Sequence, residues 1–265
     1  MLRGWHLLRL IVHLLAGLLT CALIFPLVSE QSRIRLIRRW SARVLAICGV
    51  TLRTASSVQT RDQEPALIVC NHISWLDIFV INSRQPCQFV AKSDIRGWPL
   101  IGWLCEKAGT IFLARGRQRD VRRIYQGLVD RARAGARVAF FPEGTTASQG
   151  ALLPFHANLF EAAIEGRIPV HPYAIRYLDR AGNLHPAVEF VGATTFAQSV
   201  AMILSRRDLV AEVMLLPPIS SAGMHRRQLA AAAQQAIAQA LGEGSLSPDA
   251  APARSAPGTG CGQTA

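Results

Sequence analysis

A histidine five residues ahead of an aspartate is the first arrangement in this chain that could move a proton. The stretch "VCNHISWLDIF", residues 69–79, carries His72 and Asp77 on either side of Trp75. In one continuous helix, five steps turn about 500° and leave the two side chains roughly 140° apart, unable to cooperate. They meet only if His72 stays in the turn after a strand and the helix begins near Ser74. Asp77 then reaches back to one ring nitrogen, fixes the tautomer and leaves the other nitrogen free to take a proton. Ser74-x-x-Asp77 is also a capping box, which explains Asp77 by helix capping alone. The two roles are compatible, because a cap holds the carboxylate in place.

Three more stretches put candidate ligand groups at the ends of strand-like runs. "FFPEGTT", residues 140–146, leaves a strand with Pro142, Glu143 and Gly144 in the turn, and ligands of open α/β sheets gather at such ends. "GTIFLAR" ends on Arg115, whose guanidinium fork suits phosphate. "RIPVHPYAI" opens a strand with Pro169 and Pro172, which either line an apolar groove or mark a strand edge. Taken singly, these are an ordinary turn, a surface arginine and an edge.

Taken together, they are specific. Asn-His-x4-Asp at 71–77, Gly-x-Ile-Phe-x-x-Arg at 109–115, Phe-Pro-Glu-Gly-Thr at 141–145 and Ile-Pro-Val-x-Pro at 168–172 stand in the order of the four blocks of the glycerolipid acyltransferases. The chain resembles that family over roughly 66–173, and most closely its lysophosphatidic acid acyltransferase branch. "FVAKSDIRGWPLIGWL", residues 89–104, is similar to the family's segment between the first two blocks. The resemblance implies that His72 is the general base on the acceptor hydroxyl and that Asp77 orients it. It implies direct attack on the thioester of acyl-CoA or acyl-ACP, with no acyl-enzyme on Ser74 or Cys70 and no cofactor beyond that co-substrate. Arg115, Glu143 and Gly144, with Thr145 beside them, match positions associated with the glycerol phosphate acceptor. Lys92 is a further candidate for the same headgroup, and Pro169 belongs to the block linked with the acyl donor. One position departs: Thr146 stands where the family usually has arginine. "FPEGTT" followed by "LLPFHANLF" instead resembles a subgroup that includes lyso-ornithine lipid acyltransferases, and His156 lies in that stretch. The expected product is phosphatidic acid from 1-acylglycerol-3-phosphate, with lyso-ornithine lipid as the alternative acceptor.

These residues need a scaffold, and the pattern beyond residue 66 supplies one. "ALIVC", "GTIFLA", "ARVAFF", "IPVHPYAIRYL" and "AEVMLL" read as strands. "HPAVEFVG" reads as another, joined to its predecessor by the hairpin-like turn "DRAGN". Helices are expected over 118–135, through "FAQSVAMILSRRD" and over the alanine-rich "HRRQLAAAAQQAIAQAL". The alternation predicts an α/β domain, a mixed sheet flanked by helices. The expected divisions are 1–60 as a membrane-associated helical segment, 61–242 as the acyltransferase domain and 243–265 as a disordered tail rich in glycine, serine, proline and alanine.

Half of the 265 residues are hydrophobic, and the net charge is +12. Residues 10–28 would rise about 28 Å as a helix, close to the ~30 Å of a bilayer core. A cleavable signal is the rival reading, but Arg33, Arg35, Arg38, Arg39 and Arg43 follow closely, and such clusters stay cytoplasmic. A retained anchor is therefore expected at the inner membrane, with the catalytic domain cytoplasmic. The arginines alternate with Ile34, Ile37, Trp40 and Val44 as in a helix lying on an anionic membrane surface. That surface, a lysolipid and acyl-CoA or acyl carrier protein are the expected partners. A basic module binding lipid or nucleic acid without turnover is the second reading. No nucleic acid partner is expected, since neither a helix-turn-helix nor an aromatic-basic RNA signature is present. The six cysteines form no CxxC pair, and neither a metal site nor a disulfide framework is expected.

Overall fold

The computed structural model describes residues 2–56, 65–113 and 118–242, with side chains described for 4–56, 65–113 and 125–242. Arg115 and the expected tail over 243–265 lie outside these.

Seven strands form one mixed sheet: β1 (Val50–Ser56), β2 (Ala66–Cys70), β3 (Gln88–Lys92), β4 (Ile111–Leu113), β5 (Arg137–Phe140), β6 (Val170–Leu178) and β7 (Leu209–Leu215). Their order across the sheet is β1-β7-β6-β2-β5-β3-β4. The five strands from β6 to β4 run parallel, whereas β7 is antiparallel to β6 and carries β1 parallel to itself. All five residues of β2 are buried, as expected for a central strand covered on both faces. Its side chains alternate between two cores. Ile68 and Cys70 face α2 (Glu30–Ile47), α3 (Leu76–Arg84) and α7 (Phe196–Leu204); Leu67 and Val69 face α5 (Gln118–Arg133), α6 (Glu161–Gly166) and α8 (Arg226–Leu241). The result is a three-layer α/β sandwich whose central strand ends just before His72.

Three local expectations change. The basic helix α2 stops at Ile47, short of the expected division at residue 60. Gly49 turns the chain at φ +73, where an added Cβ would come 2.7 Å from Arg207, and the next residues form β1. The sheet therefore reaches back across the expected division at residue 60, and Val44, Leu45 and Cys48 belong to its core. The hairpin over 178–192 closes with the Asp179 N–H donating to the Asn183 carbonyl at 2.8 Å, but holds only one bridge, Leu178 to Leu184. Pro186 has no N–H to extend a ladder, and Pro186–Val188 forms a 3-10 turn instead. Gln88–Lys92 forms the strand β3, for which no strand was expected.

The N-terminal helix α1 (Leu2–Leu19) continues as one π turn and one 3-10 turn to Leu27. Residues 4–27 have a mean hydropathy of 2.4 and are long and apolar enough to cross a membrane. Leu15, Leu19, Leu23 and Leu27 stand exposed along it. It is fixed to α2 by a reciprocal pair: the Trp40 indole N–H donates to the His13 carbonyl at 3.1 Å, and the His13 ring meets the Trp40 carbonyl at 3.0 Å.

Candidate active site

β2 ends at Cys70, paired with Tyr173 on β6, and the next rung is made by a side chain. The Asn71 amide donates to the Ile175 carbonyl at 2.9 Å and accepts from the Ile175 N–H at 2.8 Å. The backbone at 71 is thereby released from the ladder and turns. Every backbone N–H and carbonyl of the next three residues has a partner. The His72 N–H donates to Glu143 Oε1 at 2.7 Å, and its carbonyl accepts from Ala147. Ile73 and Ser74 donate to Asp77 Oδ2 at 2.8 and 3.0 Å, while their carbonyls accept from Phe190 and Asp77. A turn satisfied this fully holds its side chain in one place.

The His72 imidazole sits 3.8 Å from the Phe141 ring centroid, nearly parallel at 8°. Its Nδ1 lies 2.8 Å from Asp77 Oδ2. Asp77 is fully buried, and its other oxygen accepts from the Tyr177 hydroxyl at 2.7 Å. Backbone N–H groups can only donate, so the oxygen they share with Nδ1 is an acceptor and Nδ1 carries hydrogen. Nε2 is then the basic nitrogen, on a side chain that remains 19% exposed. The Asp77 carboxylate takes the Ile73 and Ser74 N–H groups ahead of α3 and meets the imidazole with the same oxygen. The expected capping box is only half formed, since the Asp77 N–H donates to the Ser74 carbonyl and not to its hydroxyl. Tyr177 stays a phenol: burial first, then the Asp77 charge, pushes its ionisation well above the ordinary tyrosine value.

Glu143, expected to hold the headgroup, braces the His72 turn. It is 4% exposed, and its two oxygens accept from the backbone N–H groups of His72 and Leu153, the latter at 2.9 Å. The carboxylate faces the protein because two otherwise unpaired amides there need an acceptor. Gly144 (φ +69) and Thr145 are exposed beside it, with the exposed His156 ring against Gly144: a Cβ there would lie 3.3 Å from it. The Thr146 hydroxyl turns inward to donate to the Phe190 carbonyl. Lys92 closes β3 and is exposed at the same carboxyl edge of the sheet. Pro169 is not brought to this edge. It precedes β6, where its carbonyl accepts from Leu67 near the start of β2, so the length of the strands separates it from His72. A cavity of about 630 Å³ opens there, lined by Pro169, Ile164, Arg167 and Pro218.

Neither neighbouring nucleophile is presented for an acyl-enzyme. Ser74 is fully buried, and Cys70 is 1% exposed. Burial, with the negative charges of Asp77 and Glu143, pushes the Cys70 thiol well above its ordinary value, so the thiolate is suppressed. Among the described residues no group of three histidines, cysteines or carboxylates could hold a metal ion. Sequence reasoning missed Tyr177 and the ladder role of Asn71. Asn71 carried a signal, since it stands beside the base at a strand's end. Tyr177 looks like any buried strand residue.

An imidazole held by a buried carboxylate stands at the carboxyl edge of a mixed sheet, a geometry able to take a proton from a hydroxyl. A family model described as Acyltransferase matches residues 50–176. The lyso-ornithine lipid O-acyltransferase of Pseudomonas aeruginosa is 38% identical over 79% of this chain and 79% of its own length. The 1-acyl-sn-glycerol-3-phosphate acyltransferase of Neisseria meningitidis is 35% identical over 62% of this chain and 65% of its own. The crystal structure of the 1-acyl-sn-glycerophosphate acyltransferase of Thermotoga maritima shares the fold, with a TM-score of 0.66 over 92% of this chain and 97% of that one at 17% identity. The chain belongs to the acyltransferase family.

Proposed function

We propose that this enzyme esterifies the free hydroxyl of a lysolipid from an acyl thioester, with His72 as general base. The observation that carries the reading is the His72–Asp77–Tyr177 relay on an immobilised turn. In the proposed step the acceptor hydroxyl gives its proton to Nε2 while its oxygen bonds to the thioester carbonyl carbon. The tetrahedral adduct collapses, the carbon–sulfur bond breaks, and the imidazolium returns the proton to the departing thiolate. Asp77 stabilises the imidazolium between these transfers. Acyl-CoA or acyl-ACP supplies the acyl group. The apolar helix over 4–27 and the arginine-rich α2 support an anchor in an anionic membrane, with the catalytic sheet beginning at residue 50 on the cytoplasmic side.

For the acceptor, Thr146 favours lyso-ornithine lipid. An arginine at 146 would put a permanent charge beside the exposed Gly144 turn, whereas the threonine hydroxyl points to Phe190. The Pseudomonas relative bears that substrate in its name and is similar over four-fifths of this chain. Lysophosphatidate is the second reading, supported by the Neisseria relative and by Arg115, which keeps its place in the Gly-x-Ile-Phe-x-x-Arg block. The test is acyl transfer from labelled acyl-CoA and acyl-ACP to both acceptors side by side in membranes. His72→Ala is expected to lose about 10²–10⁴-fold while remaining folded. Near-normal turnover in that variant would end the general-base assignment.

A further inference from the structure

The segment between β3 and β4 turns its largest apolar side chains outward. Trp98 is 45% exposed, Leu100 56% and Trp103 39%. This is a built turn. Leu100 sits at φ +63, a region L residues rarely adopt. The Gly102 N–H donates to the Trp98 carbonyl at 2.9 Å. A Cβ on Gly102 would lie 2.2 Å from the Arg96 carbonyl oxygen, so only glycine closes the turn against α4 (Ile101–Lys107). A strained leucine held into solvent gains nothing from folding in water, and such strain collects at functional sites.

A second observation says what covers it. Trp98 contacts Phe196 of α7 at 6.4 Å between ring centroids, and Phe196 contacts Trp75 at 5.4 Å. Trp75 contacts Phe79, Phe79 contacts Trp40 of α2, and Trp40 stacks on His13 of α1 at 5.1 Å. The outward face of the turn is thus joined, ring by ring, to the apolar helix over 4–27, with the exposed Phe196 and Met202 between them. Cations stand over two of the aromatic rings of this segment. Lys107 Nζ lies 5.7 Å from the Trp103 ring centroid, and Arg96 lies 5.8 Å from that of Phe112. Tryptophan with lysine and arginine around an apolar tip is the composition of a bilayer interface.

We infer that Trp98, Leu100 and Trp103 enter the same anionic lipid surface as the N-terminal helix. This second contact presses the carboxyl edge of the sheet, where His72 stands, against the plane holding the acceptor hydroxyl. It rests on the lysolipid acyltransferase reading, and two measurements on the full chain separate the two. In vesicles of phosphatidylcholine with phosphatidylglycerol, brominated phosphatidylcholine is expected to quench the unmodified protein more than Trp98→Phe/Trp103→Phe. A variant carrying Trp98→Gln, Leu100→Asn and Trp103→Gln is expected to raise KM for bilayer-embedded lysolipid about tenfold. Its turnover of a short-chain lysolipid dissolved in water should stay within about twofold, which also shows that it folds. Equal quenching with an unchanged bilayer KM overturns the proposal. So does loss of activity on both acceptors. A rise in KM confined to acyl-ACP would assign the patch to a carrier protein and refute the membrane contact. If the unmodified chain acylates neither acceptor, the enzymatic reading fails, while the quenching comparison still decides the patch.

Discussion

Glu143→Gln separates a residue that holds the base from one that holds the substrate. In the structure the carboxylate spans two backbone amides, His72 at 2.7 Å and Leu153 at 2.9 Å, and is 4% exposed. Glutamine keeps one acceptor oxygen and turns the other into an NH₂ that faces an N–H, donor against donor. One hydrogen bond to a charged group is lost, about 1.5–3 kcal/mol, and a buried donor goes unpaired. At roughly 2–4 °C per kcal/mol for a domain of this size, the melting temperature should fall by about 3–12 °C. If the lost bond is the one to His72, the imidazole turn loosens, and ångström-scale misplacement of a base costs on the order of 10²-fold. A drop in kcat of about 10–100-fold is expected, with KM for the acceptor nearly unchanged. Steady-state release of free thiol against acceptor concentration, with a thermal melt of the same preparation, reads all three quantities. A large rise in acceptor KM with kcat and melting temperature intact would refute the reasoning and return Glu143 to the headgroup.

The other expectations follow from the same network. Asp77→Asn removes the charge that stabilises the imidazolium, so kcat should fall at least ~10²-fold with KM for the acyl donor little changed; an equal loss in kcat/KM through KM alone would contradict the orienting role. Tyr177→Phe leaves one Asp77 oxygen without its buried donor and should lower stability by about 1.5–3 kcal/mol, measurable by denaturant unfolding; unchanged stability would mean that this hydroxyl contributes nothing. Cys48 is fully buried, with its thiol pushed up to about 12. Deprotonation therefore begins far above pH 8.5, where less than roughly a thousandth is thiolate. Cys48 and Cys70 should both resist alkylation of the native protein at pH 8.5, with acyl transfer intact; modification of Cys70 that abolishes activity would revive an acyl-enzyme.

What the sequence by itself determined is what depends on neighbours a few residues apart. The buried run 66–70, the turn that must hold His72 outside a helix, the reach of Asp77 back to that turn and the alternation of strands and helices all follow from local steric and hydrogen-bonding rules. The apolar helix expected over 10–28 follows from composition, and in the structure the apolar stretch runs over 4–27. The tertiary structure decided whatever depends on the order of strands. Tyr177 reaches Asp77 across 100 residues because β6 lies beside β2. For the same reason, Asn71 can replace a rung on Ile175. Residues 50–56 became a sheet edge because β7 had an open side to pair. Pro169 and Glu143 show the limit most clearly. Both lie in blocks shared with known acyltransferases, yet strand direction sends Pro169 to the far edge of the sheet. Two unpaired amides turn Glu143 inward, and no spacing along the chain records where those amides will be.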